Sequence, residues 1–387
     1  MCILLLCTAH PKYPLIVLSN RDEYLNRPTA PASFWPCPDS DVFAPRDLAR
    51  EEHGTWIGIS KTGRLAILVN FRESTRDDNI SPISRGALVK GFLTARDIPT
   101  ATWIEDAIFN AGPNGLFAVG GFSMICGTLR PLHRSAASPA DTATGAVEEP
   151  RLESFGVLTN RSTSLNDGTA WLFGDAETHN PTLDGEGHAT HNDALNELTS
   201  TVRAHTYGLS NSLYTHPWPK VHKGCTLLSG VVARDIMAVR ERATAAPKTT
   251  DTTLDGDDVH ALVDDLFAVL SVDELPRAAE PAQMFDALRH SIFIPVFSAV
   301  ESTFGGSTST TSPTTTTTVD AATSIAVPYT FVKGNYYGTR TQTVILVDNN
   351  GHVTYAEHTL HERDDGGHAE EIVKPSWTEF DIEGWNS

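Results

Sequence analysis

Two apolar runs of strand length open the chain, Cys2–Cys7 and Leu15–Ser19, on either side of the turn-prone His10-Pro11-Lys12-Tyr13-Pro14. Runs this short, bounded by proline, predict an antiparallel hairpin rather than a helix. The second run empties directly into Asn20-Arg21-Asp22-Glu23, which gives the hairpin a charged rim. No Lys or Arg precedes the first run, it is about half the length of a signal core, and His10-Pro11-Lys12 follows where a cleavage site should stand, so a strand is the better reading than a secretory signal. No stretch approaches the roughly 20 apolar residues that a membrane-spanning helix needs.

Composition narrows the function classes. Against 29 Lys and Arg stand 48 Asp and Glu, a net charge of −19, which would repel a phosphate backbone and argues against general nucleic-acid binding. The five cysteines (Cys2, Cys7, Cys37, Cys126 and Cys225) are odd in number and scattered, with no Cys-x-x-Cys pair, so neither a disulfide framework nor a zinc module is supported. A reducing, cytoplasmic compartment fits this usage.

Further along, Arg27–Pro38 is a proline-punctuated loop that cannot pair as a central strand. Gly54–Ser60, a Lys61-Thr62-Gly63 turn and Arg64–Asn70 predict a second hairpin. Ser84 and Thr100 stand where N-caps should, before helices over 85–95 and 101–110. Strands are expected over 117–128, with a bulge or turn at Gly120-Gly121, and over 155–160 with a partner at 170–173. Tyr207–Ser212 reads as an irregular polar segment, and helices are expected over 221–242, 258–270 and 281–292. Arg340–Val347 and His352–His358, joined through Asn350-Gly351, predict a closing hairpin. Residues 302–324, dominated by Thr and Ser, have the composition of a disordered segment. Runs of strands and runs of helices favour stacked antiparallel sheets flanked by helices. One domain is expected over 1–360, with insertions near 133–153, 174–201 and 302–324 and a peripheral acidic tail over 361–387.

A thiol at residue 2 becomes chemically distinctive if Met1 is removed, because the new α-amine, with a pKa near 8, can accept the thiol proton. Such a site needs a charged pair to hold the amine and donors for an oxyanion. Arg21 and Asp22 could supply the first; Asn70, Asn160, Asn211 and Arg340, at other strand ends, are candidates for the second. Each has a plainer reading: Cys2 as core packing, Arg21 with Asp22 as a strand-end ion pair, Asn70 and Asn160 as turn residues. The histidines lack a metal-ligand spacing, and Cys37-Pro38 alone is a weak signal for a haem thiolate.

Taken together, Met1-Cys2, Asn20-Arg21-Asp22-Glu23, Arg27-Pro28-Thr29, Gly54-Thr55-Trp56, Asn70-Phe71-Arg72, Ser84-Arg85-Gly86, Tyr207–Asn211, Pro217-Trp218-Pro219-Lys220 and Tyr337-Gly338-Thr339-Arg340 occur in the order that resembles the NRDE family, also known as the transport and Golgi organisation protein 2 family. That family is similar to N-terminal nucleophile hydrolases. The resemblance implies an α+β four-layer αββα sandwich, with Cys2 at the nucleophile position, Arg21 and Asp22 beside it, and Asn160 or Asn211 at the oxyanion. It also implies roles in Golgi organisation, protein secretion, and lipid or haem homeostasis. No cofactor is required by that reading; haem or an acyl compound would be a transported ligand, secretory-pathway proteins would be partners, and the protein would be cytoplasmic with Golgi or mitochondrial association. Two activities stay open: a carrier or trafficking factor, and a cysteine amidohydrolase or acyltransferase acting on the C–N bond of a non-peptide amide.

Overall fold

The computed structural model describes residues 1–73, 84–110, 116, 119–130, 155–161, 169–172, 191–245, 256–276, 286–298, 336–363, 369–371 and 375–385. The expected insertions at 133–153 and 302–324, and residues 174–190 of the one expected over 174–201, lie outside these residues.

Strands β1 (Ile3–Cys7) and β2 (Leu15–Tyr24) form the predicted opening hairpin, with Ile3 opposite Asn20 and Cys7 opposite Ile16. Side chains alternate across a strand, so an uninterrupted apolar run has to be covered on both faces. Here Ile3, Leu5 and Cys7 enter one core while Leu4 and Leu6 enter another. The first core is roofed by α3 (His191–Ala204), α4 (Pro219–Ala245) and α5 (Gly256–Leu270), through Leu198, Leu228, Val232 and Leu266. The second lies between two sheets.

The first sheet runs β10 (Thr206–Ser210), β1, β2, β12 (Tyr336–Val347), β13 (His352–Thr359), β16 (Ser376–Asp381), with β11 (Phe297–Ser298) beside β12. The second runs in chain order: β3 (Thr29–Phe34), β4 (Val42–Asp47), β5 (Ile57–Ser60), β6 (Arg64–Asn70), β7 (Phe122–Thr128), β8 (Phe155–Thr159), β9 (Thr169–Leu172). Leu65, Ile67 and Val69 of β6 face the first sheet, while Ala66 and Leu68 face α1 (Arg85–Thr94) and α2 (Thr100–Asn110). Every described strand pair is antiparallel, and the layers are helix, sheet, sheet, helix, the αββα arrangement expected above. A separate ribbon pairs β14 (His361–Arg363) with β15 (Ala369–Glu371).

Several sequence expectations need correction. Tyr207–Ser212 is not irregular: most of it is β10, an edge strand on β1, because backbone pairing outweighs the low strand propensity of Gly208 and Ser210. Gly208 is required there, since a Cβ would come within 2.7 Å of Val221 on α4. The proline loop at 27–38 contains β3, an edge strand whose register slips between Ala30 and Ser33, around Pro31. From His191 the segment expected as an insertion over 174–201 is helix α3, with Leu198 in the core. The helix expected over 281–292 does not run through: 281–285 lie outside the described residues, and Leu288–His290 is a turn that presents the Arg289 carbonyl to the Lys220 N–H at 3.2 Å. The end of the acidic tail is structural, since β16 pairs with β13 and Phe380, Ile382 and Trp385 close the inter-sheet core. Ser84 precedes α1 but makes no side-chain capping bond, and Thr100 is the first residue of α2, its hydroxyl 3.3 Å from that of Thr128.

Candidate functional site

The hairpin register places residues 1 and 2 beside the end of β2, and β12 lies along the other side of that end, with Thr339 opposite Asp22. The residue-1 amine donates to Asp22 Oδ2 at 2.7 Å and to the Tyr337 hydroxyl at 2.6 Å. Asp22 Oδ1 accepts from the Thr339 hydroxyl at 2.7 Å, and Tyr337 donates to the Asp22 carbonyl at 3.2 Å. The Asp22 side chain is fully buried and engaged at both oxygens. Lys220, near the start of α4 and also fully buried, donates to the Met1 carbonyl.

Burial decides the charge states. It lowers the pKa of the residue-1 amine, with Asp22 opposing, and lowers that of Lys220, again with Asp22 opposing. It raises the Cys2 thiol, which the neighbouring amine only partly offsets. Cys2 Sγ–H donates to the Asp22 carbonyl at 3.8 Å, and the Cys2 carbonyl accepts from Ser210 Oγ at 2.7 Å. No side-chain base among the described residues hydrogen-bonds this thiol. While Met1 is attached, the Cys2 nitrogen is a peptide nitrogen and cannot act as one.

Cys2 opens onto a cavity of about 430 Å³ whose walls include Arg21, Trp56, Asn70, Ser84 and Arg85. Of the sequence candidates, Cys2, Arg21, Asp22 and Asn70 line it together. Asn211 lies next to it: its Nδ2 donates to the Asn70 carbonyl at 2.5 Å, and its Oδ1 is buried without a partner among the described residues. Asn160 is committed to structure, accepting from the Phe122 N–H at 2.9 Å and donating to the Leu116 and Val119 carbonyls at 2.8 and 2.9 Å. Arg340 sits at a bulge in β12, donates to the Arg27 carbonyl and to Thr29 Oγ1 at 3.1 Å, and borders a separate cavity of about 20 Å³. Asn20 is structural as well, bridging the Leu270 and Ile292 carbonyls at 2.8 and 3.0 Å.

Lys220, Tyr337 and Thr339 were not singled out by sequence reasoning, although each sits in a quoted motif. Only their convergence on residues 1 and 22 gives them a role. Among the described residues no group of three or more His, Cys, Asp and Glu is placed to hold a metal, and no helix is long and apolar enough to cross a membrane.

A model of the family described as Transport and Golgi organisation 2 matches residues 1–362. The chain belongs to that family. Among its relatives, a bovine Transport and Golgi organization protein 2 homolog is 28% identical over 351 residues, 90% of this chain and 87% of that one. The human homolog of the same name is 27% identical over 355 residues, 91% and 88% of the two chains. Among solved structures, the C2A mutant of a conjugated bile acid hydrolase from Clostridium perfringens is similar at 9% identity and a TM-score of 0.31, over 99% of this chain and 98% of that one.

Proposed function

We propose that the protein is a ligand-holding factor serving the transport and Golgi organisation for which its relatives are named, with the cavity beside Cys2 as its binding site. The observation that carries this reading is the cavity of about 430 Å³ onto which Cys2 opens, with the residue-1 amine beside it committed to Asp22 and Tyr337. Cavities of a few hundred Å³ are of the size that holds small molecules. The acyl or haem compounds suggested by the family resemblance are the cargo classes to examine first, and a cytoplasmic protein with Golgi or mitochondrial contacts is the setting proposed.

A second reading is favoured by the grip on residue 1. Lys220 donates to the Met1 carbonyl, and Asp22 holds the amine, so loss of Met1 would leave the Cys2 amine beside a carboxylate and a buried lysine of lowered pKa. A cysteine amidohydrolase or acyltransferase would then be served by the same residues.

Screening the purified full chain for a co-purifying molecule, by absorbance for haem and mass spectrometry for acyl species, tests the first reading. A ligand retained by Cys2→Ala supports it. Intact mass lacking Met1, together with a Cys2→Ala chain that folds and binds but has lost biological activity, would transfer the conclusion to the enzyme.

A further inference from the structure

Four arginines line the Cys2 cavity of a chain whose net charge is −19: Arg21, Arg27, Arg50 and Arg85. The acids that share the walls are already engaged. Asp22 holds the residue-1 amine, Asp47 pairs with Arg27 at 2.6 Å, and Glu23 stands 3.7 Å from both Arg27 and Arg21. Arg21 is different from Arg27. It is 6% exposed, its guanidinium lies 4.0 Å from the centre of the Trp56 ring, and its Nη1 has no hydrogen-bond partner among the described residues. A buried guanidinium nitrogen left unpaired is costly, and native structures keep such a group where something completes it.

Arg85 lines the same cavity. It is the first residue of α1, half-buried, and among the described residues its side chain makes one hydrogen bond, a long one of 3.3 Å to the Gly121 carbonyl. At the start of that helix Ser84 makes no side-chain capping bond and the first turn has no acidic residue, while the Ser84 N–H itself donates to Glu52 Oε1 at 3.2 Å. Close contact brings this helix start into the cavity wall: a Cβ on Gly54 would lie 2.4 Å from the Gly86 carbonyl carbon, and the Thr55 N–H reaches the Gly86 carbonyl at 3.3 Å. Helix starts attract anions through free N–H groups and the helix dipole, and guanidinium forks match carboxylate and phosphate oxygens.

We propose that this part of the cavity is a subsite for the acidic group of a small molecule, with Arg21 and Arg85 as its cationic partners and the start of α1 beside them, so that the bound molecule is an anion whose other end reaches Cys2. The assignment rests on the ligand-holding reading and narrows it to acidic ligands. Carboxylates and phosphates share the required acceptors.

Two alkylating reagents test it in the full chain. Iodoacetate and iodoacetamide both form one C–S bond with a thiolate and release iodide, and differ in carrying a carboxylate or a neutral amide. The ratio of their rates at one cysteine therefore cancels its thiolate fraction, and exposed Cys37 gives a reference within the same molecule. Peptide mapping should find the iodoacetate-to-iodoacetamide ratio at Cys2 about tenfold or more above that at Cys37, the size expected of a charge-assisted contact. It should fall towards the Cys37 value in Arg85→Gln and recover in Arg85→Lys. Acetate protecting Cys2 at matched ionic strength would mark a carboxylate site; inorganic phosphate protecting it would mark a phosphate site; protection by neither counts against the subsite. Equal ratios at Cys2 and Cys37 in the unaltered chain would overturn the proposal and leave a neutral ligand possible. Absence of any co-purifying molecule and of protection by acidic and neutral ligands alike would overturn the ligand-holding reading as well.

Discussion

Asp22 accepts the residue-1 amine at 2.7 Å on one oxygen and the Thr339 hydroxyl at 2.7 Å on the other, joining the start of the chain to a strand more than three hundred residues away. Removing one member of a buried ion pair leaves the other charge uncompensated, at a cost of about 3–5 kcal/mol. Asp22→Ala should lose stability of this size in urea denaturation. A loss below about 1 kcal/mol would mean that the pair behaves as an exposed one.

Thr339 is the second support of that carboxylate. Its hydroxyl also accepts the Ile294 N–H at 2.8 Å, so Thr339→Val strands two buried partners. The expected cost is about 1–3 kcal/mol, with Thr339→Ser recovering most of it. Equal stability of the Val and Ser variants in chemical denaturation would show that the Thr339 hydroxyl does not support Asp22.

Asn160 divides the structural role from the oxyanion role suggested by its position at a strand end. Its amide ties Leu116, Val119 and Phe122 together through three bonds of 2.8–2.9 Å, so Asn160→Ala should cost about 2–3 kcal/mol and leave the alkylation rate of Cys2 unchanged. A stable variant with altered Cys2 reactivity would return Asn160 to the site.

Glu357 supplies a pH dependence of known sign. The side chain is buried, burial raises its pKa above the ordinary 4.5, and it accepts from the Ala32 N–H at 3.0 Å. A carboxyl with a raised folded pKa contributes stability fully present below about pH 4.5, its unfolded value, and lost as pH rises through the folded pKa. Glu357→Gln keeps an acceptor without the charge, so it should flatten that part of the pH–stability profile and raise stability at neutral pH by on the order of 1 kcal/mol. Thermal unfolding from pH 4 to pH 8 reads both effects; a Gln variant less stable than the parent at neutral pH would show that the carboxylate is compensated.

The sequence made the hairpins legible because their signals are local. Asp348 Oδ1 accepts from the N–H groups of Asn350 and His352, both at 2.8 Å, and Gly351 takes a φ of +80°, so the turn chemistry lies within five residues. Edge strands β3 and β10 were obscured by Pro31 and Gly208, because pairing with a neighbour, not intrinsic preference, makes them strands. The peripheral reading of the tail failed for a similar reason: its charge is spread along the segment, while Phe380, Ile382 and Trp385 matter only once β13 offers an edge.

By itself the sequence determined the two-sided apolar strands, the layered fold they require, and the presence of Cys2, Arg21 and Asp22 at one end of the first hairpin. Register does that much, since residues paired across a short turn are neighbours by geometry. Only the tertiary structure decided which distant groups join them. Three asparagines and one arginine at strand ends look alike in sequence, yet Asn70 lines the Cys2 cavity, Asn211 braces it, Asn160 is spent on the Leu116 and Val119 carbonyls and Arg340 borders another cavity. Lys220, Tyr337 and Thr339 reach residues 1 and 22 because α4 and β12 pack against β1 and β2. Such contacts close across hundreds of residues, and no local pattern encodes where a side chain points once two sheets have stacked.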